Sequence, residues 1–320
     1  MKRVLVTGAT TPPGSRIVSR LLADPSIEFV LATGVEPTEA REASAPPERY
    51  RYVPLDLSRP REVRALLFGP CLEHRVDTVV HGPLHRRTRD VGRRVHALDV
   101  ESTREMFHLA QRHATVRNFV FRSSMLVYRV RAEMPTLVNE EHPLELSPRA
   151  PQWLRDRVEA DTIACTHLGI GRLRVVVLRS AECLEAEAGS QLWDYLRSRV
   201  GFRPVGFDPM LNLVTAGDVA RAVHLAVVGS AHGVFNIPGA DTLPLTEAAA
   251  RWGQRNVPAP GFLVGPLYAL RSRVIHTDFR YDLNRWRFQY SAVPDGTRAR
   301  EMLGYEPDER IEWTREPRAR

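Results

Sequence analysis

Apolar and polar positions alternate in a regular rhythm through the first 180 residues. Short β-branched or leucine-rich runs take turns with stretches of helical period, the pattern of βαβ units laid into a parallel sheet. Residues 4–6 predict a first strand, 14–22 a helix, 29–33 a second strand and 52–55 a third. A helix is predicted over 60–68, with Pro60 in its first turn, where no amide partner is lost. Strand four follows at 76–81, a long helix at 90–113, strand five at 116–122, a helix at 151–168 and strand six at 173–179. Beyond Ser180 the elements shorten and Gly and Pro intervene. The expected architecture is α/β: a doubly wound parallel sheet over residues 1–180 and a smaller C-terminal, substrate-side lobe over 181–320. Residues 258–270 (PAPGFLVGPLYAL) read first as a packed loop, with a lid or a peripheral membrane contact as other readings, and the charged tail after Glu306 reads as frayed.

Composition narrows the class. No run of about eighteen apolar residues occurs and Met1 leads straight into a strand, so the expectation is a soluble, cytoplasmic chain with no transmembrane segment. Cys71, Cys165 and Cys183 are odd in number and widely spaced, as reduced core thiols are. The formal charge is +7, yet Lys2 is the sole lysine and the other 44 cations are arginines, a compositional bias more than a designed basic surface. The densest run, HRRTRDVGRR at 85–94, carries no aromatic residue for bases to stack on and reads as a solvated helix start, so no nucleic-acid partner is expected. The eleven histidines form no metal-binding pattern.

Directly after the first strand stands Thr7-Gly8-Ala9-Thr10-Thr11-Pro12-Pro13-Gly14, opening a helix at Ser15. A glycine there permits a tight turn, and a helix N-terminus offers amides and partial positive charge to a pyrophosphate, the Rossmann arrangement. Asp56-Leu57 follows the third strand, VFRSSMLVY (120–128) ends the fifth, VTAGDVARAVHLAV surrounds Asp218, GVFNIPGADTLPLTE spans 233–247 and MLGYEP begins at Met302. Together these resemble the extended short-chain dehydrogenase/reductases, the NAD-dependent epimerase/dehydratase family, over nearly the whole chain. The resemblance implies NAD or NADP as cofactor, a small-molecule substrate or effector, and binding by Thr7, Gly8, Thr11, Gly14, Asp56 and Leu57. Thr11 stands where the family's middle glycine belongs, which predicts weakened pyrophosphate binding. Asp56 has two readings, an adenine contact or a helix cap. The resemblance also implies a homodimer through the helices near 90–113 and 151–168, with Met106, Leu109, Val158 and Ile163 as candidate core.

The family's chemistry uses a tyrosine four residues before a lysine: the lysine lowers the tyrosine pKa, and the phenol exchanges a proton as hydride moves. The helix that should carry the pair reads PQWLRDRVEAD, placing Trp153 and Arg157 at those positions. Indole does not titrate as a base, and arginine stays charged. No shift of register restores the motif in a chain whose sole lysine is Lys2. Tyr195 and Tyr281 precede arginines by four but lie past strand six and receive no catalytic role. Of the remaining cleft candidates, Ser124 reads either as a substrate ligand or as a serine ending a buried strand, and Ser123 and Tyr128 stand beside it. His81 reads mainly as packed, with acid/base work the minority reading, and His85 follows on the same loop. The ribose-gripping acid expected after strand two falls at Gly34; Glu36 is the nearest substitute, and Arg16 or Arg41 would suit a 2′-phosphate. The family's sugar-diphosphate arginine falls at Leu211, against a UDP-sugar. Two functions follow: an NAD(P)-dependent oxidoreductase or epimerase of impaired or altered chemistry, using Ser124, Trp153 and Arg157 at its reacting end, or a non-catalytic NAD(P)-binding sensor or scaffold.

Overall fold

Val4, Leu5 and Val6 are wholly shielded from water on both faces of their strand, as a parallel sheet covered by helices requires. The computed structural model describes residues 1–37, 46–82, 85, 87–186, 188–274 and 278–313. Seven parallel strands form the main sheet: β1 (Lys2–Thr7), β2 (Ile27–Gly34), β3 (Tyr50–Pro54), β4 (Thr78–His81), β5 (Asn118–Ser124), β6 (Arg174–Ser180) and β7 (Gly233–Ile237). Their order is β7-β6-β5-β4-β1-β2-β3. The chain therefore winds outward from β1 to one edge, returns at β4 and winds to the other. A crevice opens above the carboxyl ends of β1 and β4, where such sheets bind ligands.

Helices cover both faces. α1 (Pro12–Ala23) and α5 (Ala216–Val228) pack on one, through Ile17, Leu21, Val223 and Val227. α2 (Pro60–Leu66), α3 (Ser102–Arg112) and α4 (Gln152–Thr166) pack on the other, through Leu66, Phe107 and Ala160. The helix expected over 90–113 is assembled from Arg93–His96, a wider π-turn at Ala97–Glu101, and α3.

The division at residue 180 describes the chain only in part. α5 and β7 return to the main sheet, and the helix Thr297–Leu303 packs on it through Ala299 and Leu303. What stands apart is a smaller lobe. Met210–Val214 pairs with Glu182–Cys183 and Asp241–Pro244, and Val200–Pro204 pairs with Arg255–Ala259, over a core that includes Tyr195, Trp252, Phe279 and Phe288.

Two further expectations are corrected. Residues 258–270 are neither loop nor lid: they complete the strand Arg255–Ala259 and enter the helix Gly261–Val274, because Val264 and Tyr268 bury into the small-lobe core. Of the tail past Glu306, the described stretch 307–313 is pinned where Asp218 accepts the amides of Asp308 (3.0 Å) and Glu309 (3.1 Å), and Asp241 accepts that of Ile311 (2.7 Å); residues 314–320 lie outside the described residues. The residues named for a dimer core also prove committed elsewhere. Met106, Leu109 and Val158 are buried in this chain's own core and Ile163 packs against it. The outer faces of α3 and α4 carry Arg104, His108, Arg112 and Arg155, with Arg104 bridging to Glu159 at 2.8 Å. No helix among the described residues is long and apolar enough to cross a membrane.

Candidate cofactor and substrate cleft

The turn after β1 is set by two glycines. Gly8 adopts φ +63°, and a Cβ on Gly14 would fall 2.0 Å from the Gly8 carbonyl, so neither position tolerates a side chain. The Thr11 hydroxyl is spent within the turn. It donates to the Gly8 carbonyl (2.8 Å) and accepts the Gly14 amide (3.0 Å), capping α1. Pro12 and Pro13 occupy the first two helical positions, and the Ser15 amide bonds to the Thr11 carbonyl at 2.8 Å. The Thr11 amide bonds to Gly8 at 3.1 Å. From residue 11 to 15, then, no amide remains to offer a phosphate: two are absent and three are spent. The amides expected at this helix N-terminus are missing, and only the field of the helix remains.

Below the turn, Thr7 holds His81 Nδ1 at 2.8 Å while Thr103 meets Nε2 at 3.1 Å. With both nitrogens engaged and no exposed surface, His81 is a packed strut, its pKa pushed down to about 3 by burial and then by Arg122. Ser123 and Tyr128 are also withdrawn from the cleft's chemistry. Ser123 donates to Asp161, which Arg179 grips with two nitrogens at 3.0 and 2.6 Å. Arg179 also donates to the Tyr128 hydroxyl (3.0 Å), which in turn donates to Asn236 (2.8 Å). Burial pushes the Tyr128 pKa up to about 12. This network ties β5, α4, β6 and β7 together.

Above the sheet the remaining site residues do converge. Thr11, Ser124, Trp153 and Arg157 line one cavity of about 120 Å³, together with His85, Arg122 and Glu182. Trp153 is buried, and the Arg157 guanidinium carbon lies 4.0 Å from its ring centre, a cation–π stack. Arg157 also donates to the His85 carbonyl at 2.8 Å, and burial lowers its pKa. Ser124 Oγ accepts the Leu126 amide at 3.2 Å. Glu182 Oε1 accepts from Ser190 Oγ (2.9 Å) and the Leu192 amide (2.7 Å). A second cavity of about 50 Å³ adjoins through Ala181 and Glu182; it is lined by Leu211, Asn212 and Arg287. Arg287, from another element, thus lies near Leu211, with one nitrogen donating to the Met125 carbonyl at 3.1 Å. Sequence reading passed over Arg122, Glu182 and Arg287. The signal for the first two was a charge placed at the carboxyl end of an apolar strand.

At the adenosine end, a Cβ at position 34 would lie 2.8 Å from Thr10 Oγ1 and 3.0 Å from both Glu36 Oε2 and the Tyr52 hydroxyl, so an acid there would have to displace these side-chain ends. Glu36 occupies the space instead, accepting from Thr10 of the glycine turn, with its carbonyl held by Tyr52 at 2.7 Å. Asp56 caps Ser58 through its amide (3.1 Å) and hydroxyl (2.6 Å), and Arg94 reaches its other oxygen at 3.1 Å. These contacts hold the Asp56 carboxyl below its usual pKa against the opposing effect of burial. The Leu57 side chain turns into the core. Arg16 is exposed, and Arg41 lies outside the described residues.

The strand order, the glycine turn and the cleft define a doubly wound dinucleotide-binding fold. Residues 4–154 match the model of the NAD dependent epimerase/dehydratase family. Uncharacterized proteins of Mycobacterium tuberculosis and Mycobacterium bovis are 29% identical to it over 329 aligned positions, covering 98% of this chain and 81% of theirs. Among solved structures, MoeE5 in complex with UDP-glucose and NAD superposes with a TM-score of 0.67 at 19% identity, covering 97% of this chain and 94% of that one. The dTDP-glucose 4,6-dehydratase of Bacillus anthracis in complex with NAD gives 0.67 at 16% identity, covering 97% and 92%. The UDP-glucose 4-epimerase of Thermotoga maritima with UDP-glucose gives 0.67 at 17%, covering 95% and 93%.

Proposed function

We propose that this protein binds NAD without the family's proton relay, so that oxidoreduction or epimerisation of a small polar substrate is impaired. The observation that carries the reading is Trp153 stacked with Arg157 on the cleft wall, where the resemblance places tyrosine and lysine. His81 and Tyr128, the ring groups that would stand in, are sealed in the hydrogen bonds described above.

The frame fits the adenosine half of the cofactor: the turn at Thr7, Gly8, Thr11 and Gly14, Glu36 for the ribose, Asp56 and Leu57 for the adenine. NAD, when bound, supplies a hydride acceptor. The residues at the reacting end do not fit the family's proton transfer, and no catalytic step is derived through the cofactor. Glu36 would oppose a 2′-phosphate by like charge, which favours NAD over NADP. A catalytic reading rests on Glu182, a carboxylate on the cleft wall. Pairing of two copies through α3 and α4 is retained as a proposal whose contacts are polar, and a monomeric mass in light scattering at micromolar concentration removes it. The three free thiols fit a reducing compartment such as the cytoplasm.

The test is calorimetry with the four nicotinamide dinucleotides, followed by nicotinamide absorbance over sugars, hydroxysteroids and simple ketones. NAD or NADH should bind more tightly than its phosphorylated counterpart, and turnover should be slow. Joint replacement Trp153→Tyr and Arg157→Lys should raise the rate about 100-fold or more, the usual worth of a positioned acid/base. Absence of heat with every dinucleotide defeats the cofactor reading. Fast turnover lost in Glu182→Gln and retained in Trp153→Phe transfers the chemistry to Glu182.

A further inference from the structure

We infer that the cleft binds a small carboxylate, received by the indole N–H of Trp153 and the guanidinium of Arg157. The inference deepens the cleft reading above and rests on the cavity being open to ligand. Trp153 Nε1 and Arg157 Nε are both shut off from water, and neither has an acceptor. Buried donors are almost always paired, because an unpaired one has given up its hydration for nothing. Here the two lie on one rigid unit, the guanidinium stacked 4.0 Å from the ring centre and anchored to the His85 carbonyl at 2.8 Å.

The rest of the cavity wall also favours an acceptor-rich ligand. Arg122 lines it, and Ser124 accepts the Leu126 amide, which leaves its hydroxyl hydrogen for a ligand. Among the described residues the wall carries one carboxylate, Glu182, which already receives Ser190 and Leu192 on one oxygen. Asp99 and Asp156 offset part of the Arg157 charge, but Asp156 also serves His96 (2.9 Å) and Gln152 (3.1 Å), and Asp99 the His85 amide (2.8 Å). A guanidinium whose Nε has no acceptor, stacked beside an indole N–H that has none, favours an anion over a neutral carbonyl. A cavity of about 120 Å³ favours a compact one.

Calorimetry of the full chain with succinate, succinamide and inorganic phosphate, each with and without NADH, tests this. Succinate should bind at least about tenfold more tightly than succinamide or phosphate. Trp153→Phe, which keeps a stacking ring and removes only the N–H, should weaken succinate about tenfold and leave NADH affinity within about threefold. Arg157→Met should do the same if it folds; Trp153→Phe decides the matter if it does not. No heat from succinate at about 10 mM overturns the inference, as does tighter binding of phosphate or succinamide. It also falls if Trp153→Phe weakens NADH and spares succinate, since the donors would then serve the cofactor. NADH heat without succinate heat removes this inference alone. Succinate heat without NADH heat removes the cofactor reading alone.

Discussion

Replacing Pro12 and Pro13 together by alanine should strengthen dinucleotide binding. The first helical amides are the usual pyrophosphate donors, and here the two prolines supply none while the Thr11, Gly14 and Ser15 amides are spent within the turn. Alanine keeps the helix, and the Thr11 cap does not depend on either ring. Each restored N–H that meets a charged phosphate oxygen is worth about 1.5–3 kcal/mol, so one well-aimed bond gives roughly ten- to hundredfold. Greater freedom of the unfolded chain costs about 0.4–1 kcal/mol per proline, to be read as a small fall in melting temperature. Calorimetry with ADP isolates the pyrophosphate contribution from the nicotinamide end, and NADH then reports the whole. If ADP and NADH bind the double variant no better than the parent, the phosphates do not sit at this turn and the assignment of residues 7–14 fails.

Asp161→Ala should cost about 3–5 kcal/mol by leaving Arg179 buried without its partner, whereas Ser123→Ala should cost about 1 kcal/mol; chemical denaturation compares them. Gly14→Val should abolish dinucleotide binding or folding, because its Cβ meets the Gly8 carbonyl at 2.0 Å; circular dichroism separates the two. The Asp24 carboxyl, lowered to about 2 chiefly by its hydrogen bond to His224 and next by Ser26, joins the end of α1 to α5. Since its folded pKa lies below the unfolded value of about 4, its contribution is complete above that value and is lost as pH falls toward 2. Thermal melts of Asp24→Asn should show a weaker acid dependence over that window.

The alternation of apolar runs and helical stretches made the six strands of the first 180 residues legible, because all but the edge strand β3 are buried through most of their length and therefore largely apolar. β7 escaped this reading. Its return to the sheet depends on pairing with β6 across more than fifty residues, which no local pattern records. The same limit applies to the site. Thr11, Ser124, Trp153 and Arg157 were each readable from their positions, and they do share a cavity. The fates of His81, Ser123 and Tyr128 were set by Thr103, Asp161 and Asn236, partners distant in sequence that turned candidate cleft groups into struts. The two prolines were visible from the outset, but their effect appears only once Thr11 and Ser15 are seen to use up the neighbouring amides.

Lys2 opens β1, and in a parallel sheet every strand starts at the edge opposite the one where the cleft lies. As the chain's sole lysine, it offers the only side-chain amine for acylating reagents. A dye or surface linker attached there leaves Arg122, Arg157 and Trp153 untouched and turns the cleft outward. With the Met1 α-amine at the same end of β1, acylation places the attachment at the edge away from the cleft and orients an immobilised protein without an engineered cysteine or tag.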